Sequence, residues 1–81
     1  EKKSYFNKRR DCYLLYLTAF NDILIRNGPL SFVALANAVR TYPYLCRVKL
    51  NPSMALEALI TVGALSLERN TTLVSIPDQM P

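Results

Sequence analysis

The longest hydrophobic pattern in the chain covers residues 11–26 and repeats with the period of an α-helix. At about 100° per residue, the apolar side chains fall on one broad face. Asp11, Thr18 and Asp22 fall on the opposite side. The pattern predicts an amphipathic first helix whose core face is formed by Tyr13, Tyr16, Leu17, Phe20, Ile23 and Leu24.

Three other apolar residues of this helix, Leu14, Leu15 and Ile25, lie beside the polar stripe and away from the core face. A single exposed leucine is ordinary, but three on one stripe can form a contact patch. Coverage by the N-terminal arm, or by residues missing from this sequence, is equally compatible with the pattern. Both interpretations stay open.

A second helix follows a strong break in the pattern. Residues 27–29, Asn-Gly-Pro, end the first helix, and Leu30 is expected to form a strand of one or two residues. Ser31 can cap a helix that continues to about Arg40. The expected core positions of this helix are Phe32, Leu35, Ala36 and Val39.

Residues 41–50 form a longer connection than the three- or four-residue turn of a simple helix-turn-helix. Pro43 disfavours helical geometry in the residue before it. The end of the connection alternates like a strand, with Arg47 and Lys49 on one side. An extended insertion, with a third strand or a short helical turn at Tyr44, is one interpretation. An ordinary loop is favoured over it.

The start and stop signals of a third helix are clear. Asn51 can cap its first turn, and Pro52 suits a position whose N–H has no helical partner. Residues 54–60 are mostly good helix formers, and Gly63 can adopt the left-handed conformation that often ends a helix.

A hairpin is predicted directly after this helix. Residues 65–67 and 74–76 each alternate apolar and polar side chains, as half-buried strands do. Between them, residues 68–72 can turn, and Asn70 is the residue of that turn that best tolerates positive φ.

Positive charge is concentrated at the start of the chain. The net charge is +4 and the pI about 9.3, and five of the cations precede residue 11. Residues 1–10 are expected to form a solvated basic arm or an extra first turn of the first helix. This charge permits a polyanionic partner. The five cations are Lys2, Lys3, Lys8, Arg9 and Arg10.

The chain of 81 residues is expected to form one domain, over residues 11–76, followed by a proline-bounded tail at 77–81. It begins at Glu1 and not at Met, so we expect a fragment of a larger protein. No apolar run reaches membrane-spanning length. Cys12 and Cys46 are expected to be free and buried, as in an intracellular protein, with nucleus and cytoplasm not distinguished.

The residues offer little for catalysis. Histidine is absent, the acidic residues show no paired spacing, and two glycines are too few for a phosphate-binding loop. Two distant cysteines do not form a metal-site pattern. We therefore expect a non-enzymatic domain without a metal, cofactor, small-molecule substrate or membrane partner.

The arrangement of residues 11–76 resembles the winged-helix family. Gly63 and residues 64–67 stand where such domains leave the third helix and enter the first wing strand. The resemblance implies an α+β fold, with three helices and a C-terminal β-wing of two or three strands. It also implies DNA or RNA binding through the third helix and the wing. The subfamily is not fixed.

The residues of the third helix do not favour base recognition. If Leu56, Leu59, Ile60 and Val62 face the core, no cation faces outward, since the outward residues are Ser53, Met54, Glu57, Ala58 and Thr61. Helices that recognise bases usually present basic or amide side chains. Nucleic-acid association with little sequence specificity is therefore predicted through Lys8, Arg9, Arg10, Arg47, Lys49 and Arg69.

Protein docking or homodimerisation is the alternative function. It would use apolar patches on the first and third helices, with Tyr42 and Tyr44 as additional amphipathic contact area. The predicted docking residues are Leu14, Leu15, Ile25, Met54 and Ala58.

Overall fold

The described part of the chain has an α+β fold with three α-helices and a three-stranded antiparallel sheet. The computed structural model describes residues 2–78, with side chains described from Arg9 onward. In chain order the elements are α1 (Lys2–Asn27), β1 (Leu30–Ser31), α2 (Phe32–Ala38), α3 (Pro52–Thr61), β2 (Ser66–Leu67) and β3 (Leu73–Ser75). Two 3₁₀ helices, Val39–Thr41 and Pro43–Arg47, connect α2 to α3.

Helix α1 begins nine residues before the predicted start, at Lys2 in place of Asp11. Of the two alternatives for the first ten residues, the structure has the helical one, since residues 2–10 continue the helix without interruption. The helix ends as predicted at Gly28, whose φ is 77° and whose N–H donates to the Leu24 carbonyl at 2.8 Å.

The core lies between α1, α2, α3 and the sheet. The predicted face of α1 is confirmed: Tyr16, Phe20, Ile23 and Leu24 are buried, while Tyr13 and Leu17 are half-buried against them. Hydrophobic periodicity did not indicate Ala19 and Ala55, which are fully buried. The other buried residues are Leu35, Ala36, Val39, Leu45, Pro52, Leu56, Leu59, Leu65 and Val74.

Helix α2 starts as predicted and ends earlier. The Ser31 hydroxyl accepts a hydrogen bond from the Ala34 N–H at 3.1 Å, which is the expected N-cap. The α-helix ends at Ala38 and not at Arg40, because the chain tightens there into the 3₁₀ helix Val39–Thr41.

The connection from α2 to α3 contains no strand, so the strand-like alternation near its end was misleading. Residues 43–47 form a 3₁₀ helix with Pro43 in its first turn, as the alternative of a helical turn at Tyr44 anticipated. Its only buried side chain is Leu45, which packs into the core.

Helix α3 has the predicted caps at both ends. The Asn51 side-chain oxygen accepts from the Ser53 N–H at 2.8 Å. At the other end Gly63 has a φ of 84°, and the Ala64 N–H donates to the Leu59 carbonyl at 2.9 Å. The prediction that Val62 faces the core is wrong, because Val62 is 74% exposed.

The sheet has the strand order β1-β3-β2, with both pairs antiparallel. Val74 lies opposite Leu30 on one side and Leu67 on the other. The predicted short strand at Leu30 is thus the third strand of the sheet. The first hairpin strand starts one residue later than predicted and ends as predicted, and the second is shifted by one residue towards the N-terminus. Asn70 has the expected positive φ, of 62°.

Candidate functional site

A cationic groove of about 670 Å³ lies between α1 and the connecting segment, which we define as residues 43–50. Arg9 from α1 and Arg47 and Lys49 from the connecting segment line it. The apolar and aromatic part of its lining consists of Cys12, Leu15, Tyr44, Val48 and Leu50. The groove therefore joins three residues predicted to contact phosphates with one residue, Leu15, predicted to contact protein.

The connecting segment is anchored to α1 by a hydrogen bond near its end. The Tyr16 hydroxyl donates to the Leu50 carbonyl at 2.6 Å, and Leu50 is half-buried against the core. Burial raises the pKa of Tyr16, while Arg40 acts in the opposite direction and Cys12 adds to the rise. The phenol therefore stays protonated and able to donate at physiological pH.

A second hydrogen bond anchors the chain just before the connecting segment. The Tyr42 hydroxyl donates to the Asp22 carboxylate of α1. This bond is the largest cause of the raised pKa of Tyr42, because it stabilises the neutral phenol. Asp22 also forms an ion pair with Arg26, with 3.3 Å between Asp22 Oδ1 and Arg26 Nε. The two tyrosine contacts fix the connecting segment against α1, so the groove walls are held by defined bonds.

The charge of the groove is of one sign. Arg9, Arg47 and Lys49 are all exposed, and no acidic side chain lines the groove among the described residues. Three cations separated by apolar surface repel one another, and an anion between them would relieve that repulsion. Arg9 and Arg47 are 38 residues apart in the sequence. They line the same groove only because the connecting segment packs beside α1.

The aromatic component of the groove is Tyr44, which is 43% exposed. Its ring packs edge-to-face on Tyr42, with ring centroids 5.7 Å apart and an interplanar angle of 81°. Because Tyr42 is itself bound to α1, its contact braces the Tyr44 ring, and Tyr44 also lines the groove. The sequence predicts Tyr44 only as additional amphipathic contact area for protein docking.

The remaining predicted phosphate contacts lie elsewhere. Arg69 lines a different cavity of about 630 Å³, between the end of α1 and the hairpin, together with Glu68 and Asp78. The positive charge of Arg69 therefore shares this cavity with two acidic side chains. Arg10 is exposed but does not line the cationic groove, and the side chain of Lys8 falls outside the described residues.

The predicted docking residues divide between several surfaces. Leu15 lines the cationic groove, whereas Leu14 and Ile25 are exposed and do not line it. On α3, Met54 is exposed and Ala58 half-buried. The structure confirms the exposure of the three α1 residues but does not bring them and the α3 residues into one site.

The outward surface of α3 carries no positive charge. The sequence of the helix, Pro52–Thr61, includes neither lysine nor arginine, and Glu57 is exposed on it. Helix α2, Phe32–Ala38, also lacks basic residues. Neither short helix can offer cations to a DNA backbone or arginine to a guanine edge.

Two further expectations concern the cysteines and metals. Both cysteines are free, as predicted, but the expectation of burial is wrong because Cys46 is exposed and Cys12 half-buried. In the part of the chain that the structure describes, no group of cysteine and acidic side chains could hold a metal ion.

No helix among the described residues is long and apolar enough to span a membrane. Comparison of the chain with protein-family models, curated proteins and solved structures finds no match. The interpretation of the groove therefore rests on its own geometry and charge.

Proposed function

We propose that this chain is a non-catalytic, winged-helix-like binding module that associates with nucleic acid through phosphate contacts. The observation that carries the proposal is the cationic groove, in which Arg9, Arg47 and Lys49 line one surface without an acidic neighbour on its lining. Such a partner implies an intracellular location, nuclear or cytoplasmic.

The order of the elements supports the winged-helix interpretation. A short strand between the first two helices pairs with a hairpin that follows the third helix, and this makes the three-stranded sheet. That arrangement is compatible with a winged helix, in which the hairpin is the wing. The family resemblance then adds nucleic acid as the expected partner.

The proposed contact surface differs from the one that the winged-helix family usually uses. Helix α3 lacks cations, and the hairpin offers Arg69 next to Glu68. The groove between α1 and the connecting segment is the better phosphate site, since a guanidinium or ammonium group can meet the anion from either wall. Backbone contacts of this kind position a protein without recognising sequence.

The test is a titration of a fluorescently labelled mixed-sequence oligonucleotide, followed by anisotropy, at several salt concentrations. Three phosphate contacts give a slope of log affinity against log salt of about −2 for a single strand, so raising salt from about 50 to about 200 mM weakens binding about 20-fold. Salt-independent binding, or none at low salt, contradicts the proposal.

A matched pair of substitutions locates the contact. Arg47→Gln removes one charge from the groove, and Arg69→Gln removes one charge from the hairpin. Both side chains are exposed, so neither change should disturb the core. We expect Arg47→Gln to weaken binding and reduce the salt slope by about 0.7, with Arg69→Gln close to wild type.

Protein docking is the second candidate function, and the exposed apolar side chains favour it. Met54 is 61% exposed on α3, and Ile25 is 73% exposed near the end of α1. A partner protein or a second copy of this chain could cover either surface. Met54→Glu is then expected to abolish association seen by analytical ultracentrifugation or by binding to the partner, while unfolding temperature is unchanged.

A further inference from the structure

The cationic groove contains more than phosphate contacts require. Its lining also includes Leu15, Val48 and the partly exposed Tyr44, which offer an apolar and aromatic surface. A phosphate gains nothing from such a surface, because it must keep its hydration or its ion pairs. The lining fits a ligand that alternates anionic groups with flat, apolar ones.

We propose that the groove binds single-stranded nucleic acid, with phosphates at Arg9, Arg47 and Lys49 and an unpaired base stacked on Tyr44. This inference rests on the proposed function and narrows it to one class of nucleic acid. Proteins that bind single strands combine a positive groove with aromatic side chains on which bases stack. Stacking tolerates any base, which agrees with the absence of lysine, arginine, asparagine and glutamine from α3.

The Tyr44 ring is oriented before a ligand arrives. Its edge-to-face contact with Tyr42 holds one side, and the Tyr42 hydroxyl is bound in turn to Asp22 on α1. A ring fixed in this way loses little conformational freedom when a base stacks on it. Its 43% exposure leaves room for that contact.

A duplex fits the same surface less well. Its bases are stacked inside and cannot reach Tyr44 or the apolar lining, so only the cations would contribute. A helix that enters a major groove needs cations on its outer surface, and neither α2 nor α3 has one.

An acidic peptide with apolar side chains has comparable chemistry and is the competing ligand. Two of the three cations are arginines, whose planar guanidinium groups pair with phosphate in two parallel hydrogen bonds and stack on flat rings. Together with the open tyrosine, this favours nucleotides over carboxylate side chains. The experiment includes the peptide as a separate probe.

The experiment measures binding of one labelled mixed-sequence strand, and of the duplex formed from it and its complement, to the full chain at low and physiological salt. The variants are Tyr44→Leu, which removes the ring, and Tyr44→Phe, which keeps it. We expect the single strand to bind at least tenfold more tightly than the duplex. Tyr44→Leu should weaken single-strand binding about 5- to 150-fold, whereas Tyr44→Phe retains it.

The outcomes separate this inference from the broader proposal. If the duplex binds as tightly as the strand and Tyr44→Leu has no effect, the single-strand inference fails, but salt-sensitive binding would still support phosphate contact. If neither oligonucleotide binds and a labelled peptide of alternating aspartate and leucine does, both proposals are overturned. Circular dichroism of each variant checks that the fold is intact, and because Tyr44 is partly exposed both variants should retain it.

Discussion

The hydrogen bond from Tyr16 to Leu50 offers a direct test of how the connecting segment is held. Tyr16→Phe removes one oxygen atom from a side chain that is otherwise buried. The ring keeps its stacked contact with Phe20, whose centroid lies 5.7 Å away at an interplanar angle of 22°. No cavity larger than the hydroxyl is created, so the measured change reports mainly the hydrogen bond.

The expected loss follows from the surroundings of the bond. A neutral intramolecular hydrogen bond contributes about 0.5–1.5 kcal/mol net to stability. Leaving a buried acceptor without a hydrogen-bond partner costs more free energy than that. Leu50 is only half-buried, so water can replace part of the lost bond to its carbonyl. We therefore expect a decrease in unfolding free energy of about 1 kcal/mol. For a domain of this size, that corresponds to a fall in melting temperature of about 4–8 °C.

The assay is thermal unfolding followed by circular dichroism, with urea unfolding at 25 °C as a second measurement. Tyr44→Phe is the matched control, because the Tyr44 hydroxyl makes no hydrogen bond to any other described residue. If Tyr16→Phe melts within about 1 °C of this control, the bond contributes no net stability. The connecting segment would then have to be held by apolar packing, above all that of Leu45.

Two other predictions concern stability. Asn51→Ala removes the N-cap of α3 and should lower the free energy of unfolding, measured by urea titration, by about 1 kcal/mol. Asn51→Asp keeps a capping oxygen and should be nearly neutral. Equal stability of the wild type and both variants would contradict the cap assignment. The raised pKa of Tyr42 implies a stabilising contribution that is complete below pH 10.0 and is lost as pH rises through the raised pKa. Tyr42→Phe should therefore show a shallower loss of stability as the pH rises above 10.0, although not a flat profile, since the pKa of Tyr16 is also raised. Identical profiles for the two proteins would refute this assignment.

Element boundaries were predicted correctly where a side chain caps a nearby backbone N–H or where a residue adopts a positive φ. Ser31 and Asn51 cap their helices through short-range hydrogen bonds, and Gly63 and Asn70 adopt the positive φ expected of them. These effects depend on a few neighbouring residues. They can therefore be inferred without knowing the tertiary structure.

The start of α1 could not be predicted from its apolar face. Residues 2–10 show no helical hydrophobic repeat, so the pattern stops at Asp11. They also contain no glycine or proline to end a helix, and extending an existing helix is much easier than starting one. The helix therefore continues through them, beyond the part that the core requires.

Hydrophobic periodicity alone predicts neither the path of the connecting segment nor the outward position of Val62. Alternation in residues 46–50 is a strand signal, but a strand needs a partner, and these residues pair with none of the strands β1, β2 and β3. Val62 follows the last residue of α3 and has a φ of −86° and a ψ of 1°, so helical spacing no longer places its side chain. The groove itself depends on the packing of distant segments.

The strand order also has a consequence for how the protein is made. The central strand, β3, is the last of the three to be synthesised, whereas β1 emerges more than 40 residues before it. Until Leu73–Ser75 leaves the ribosome, neither β1 nor β2 has its strand partner, and Val74 is missing from the core. The helices can form during translation because their hydrogen bonds are local. The sheet, and with it the complete fold, must wait for the final strand.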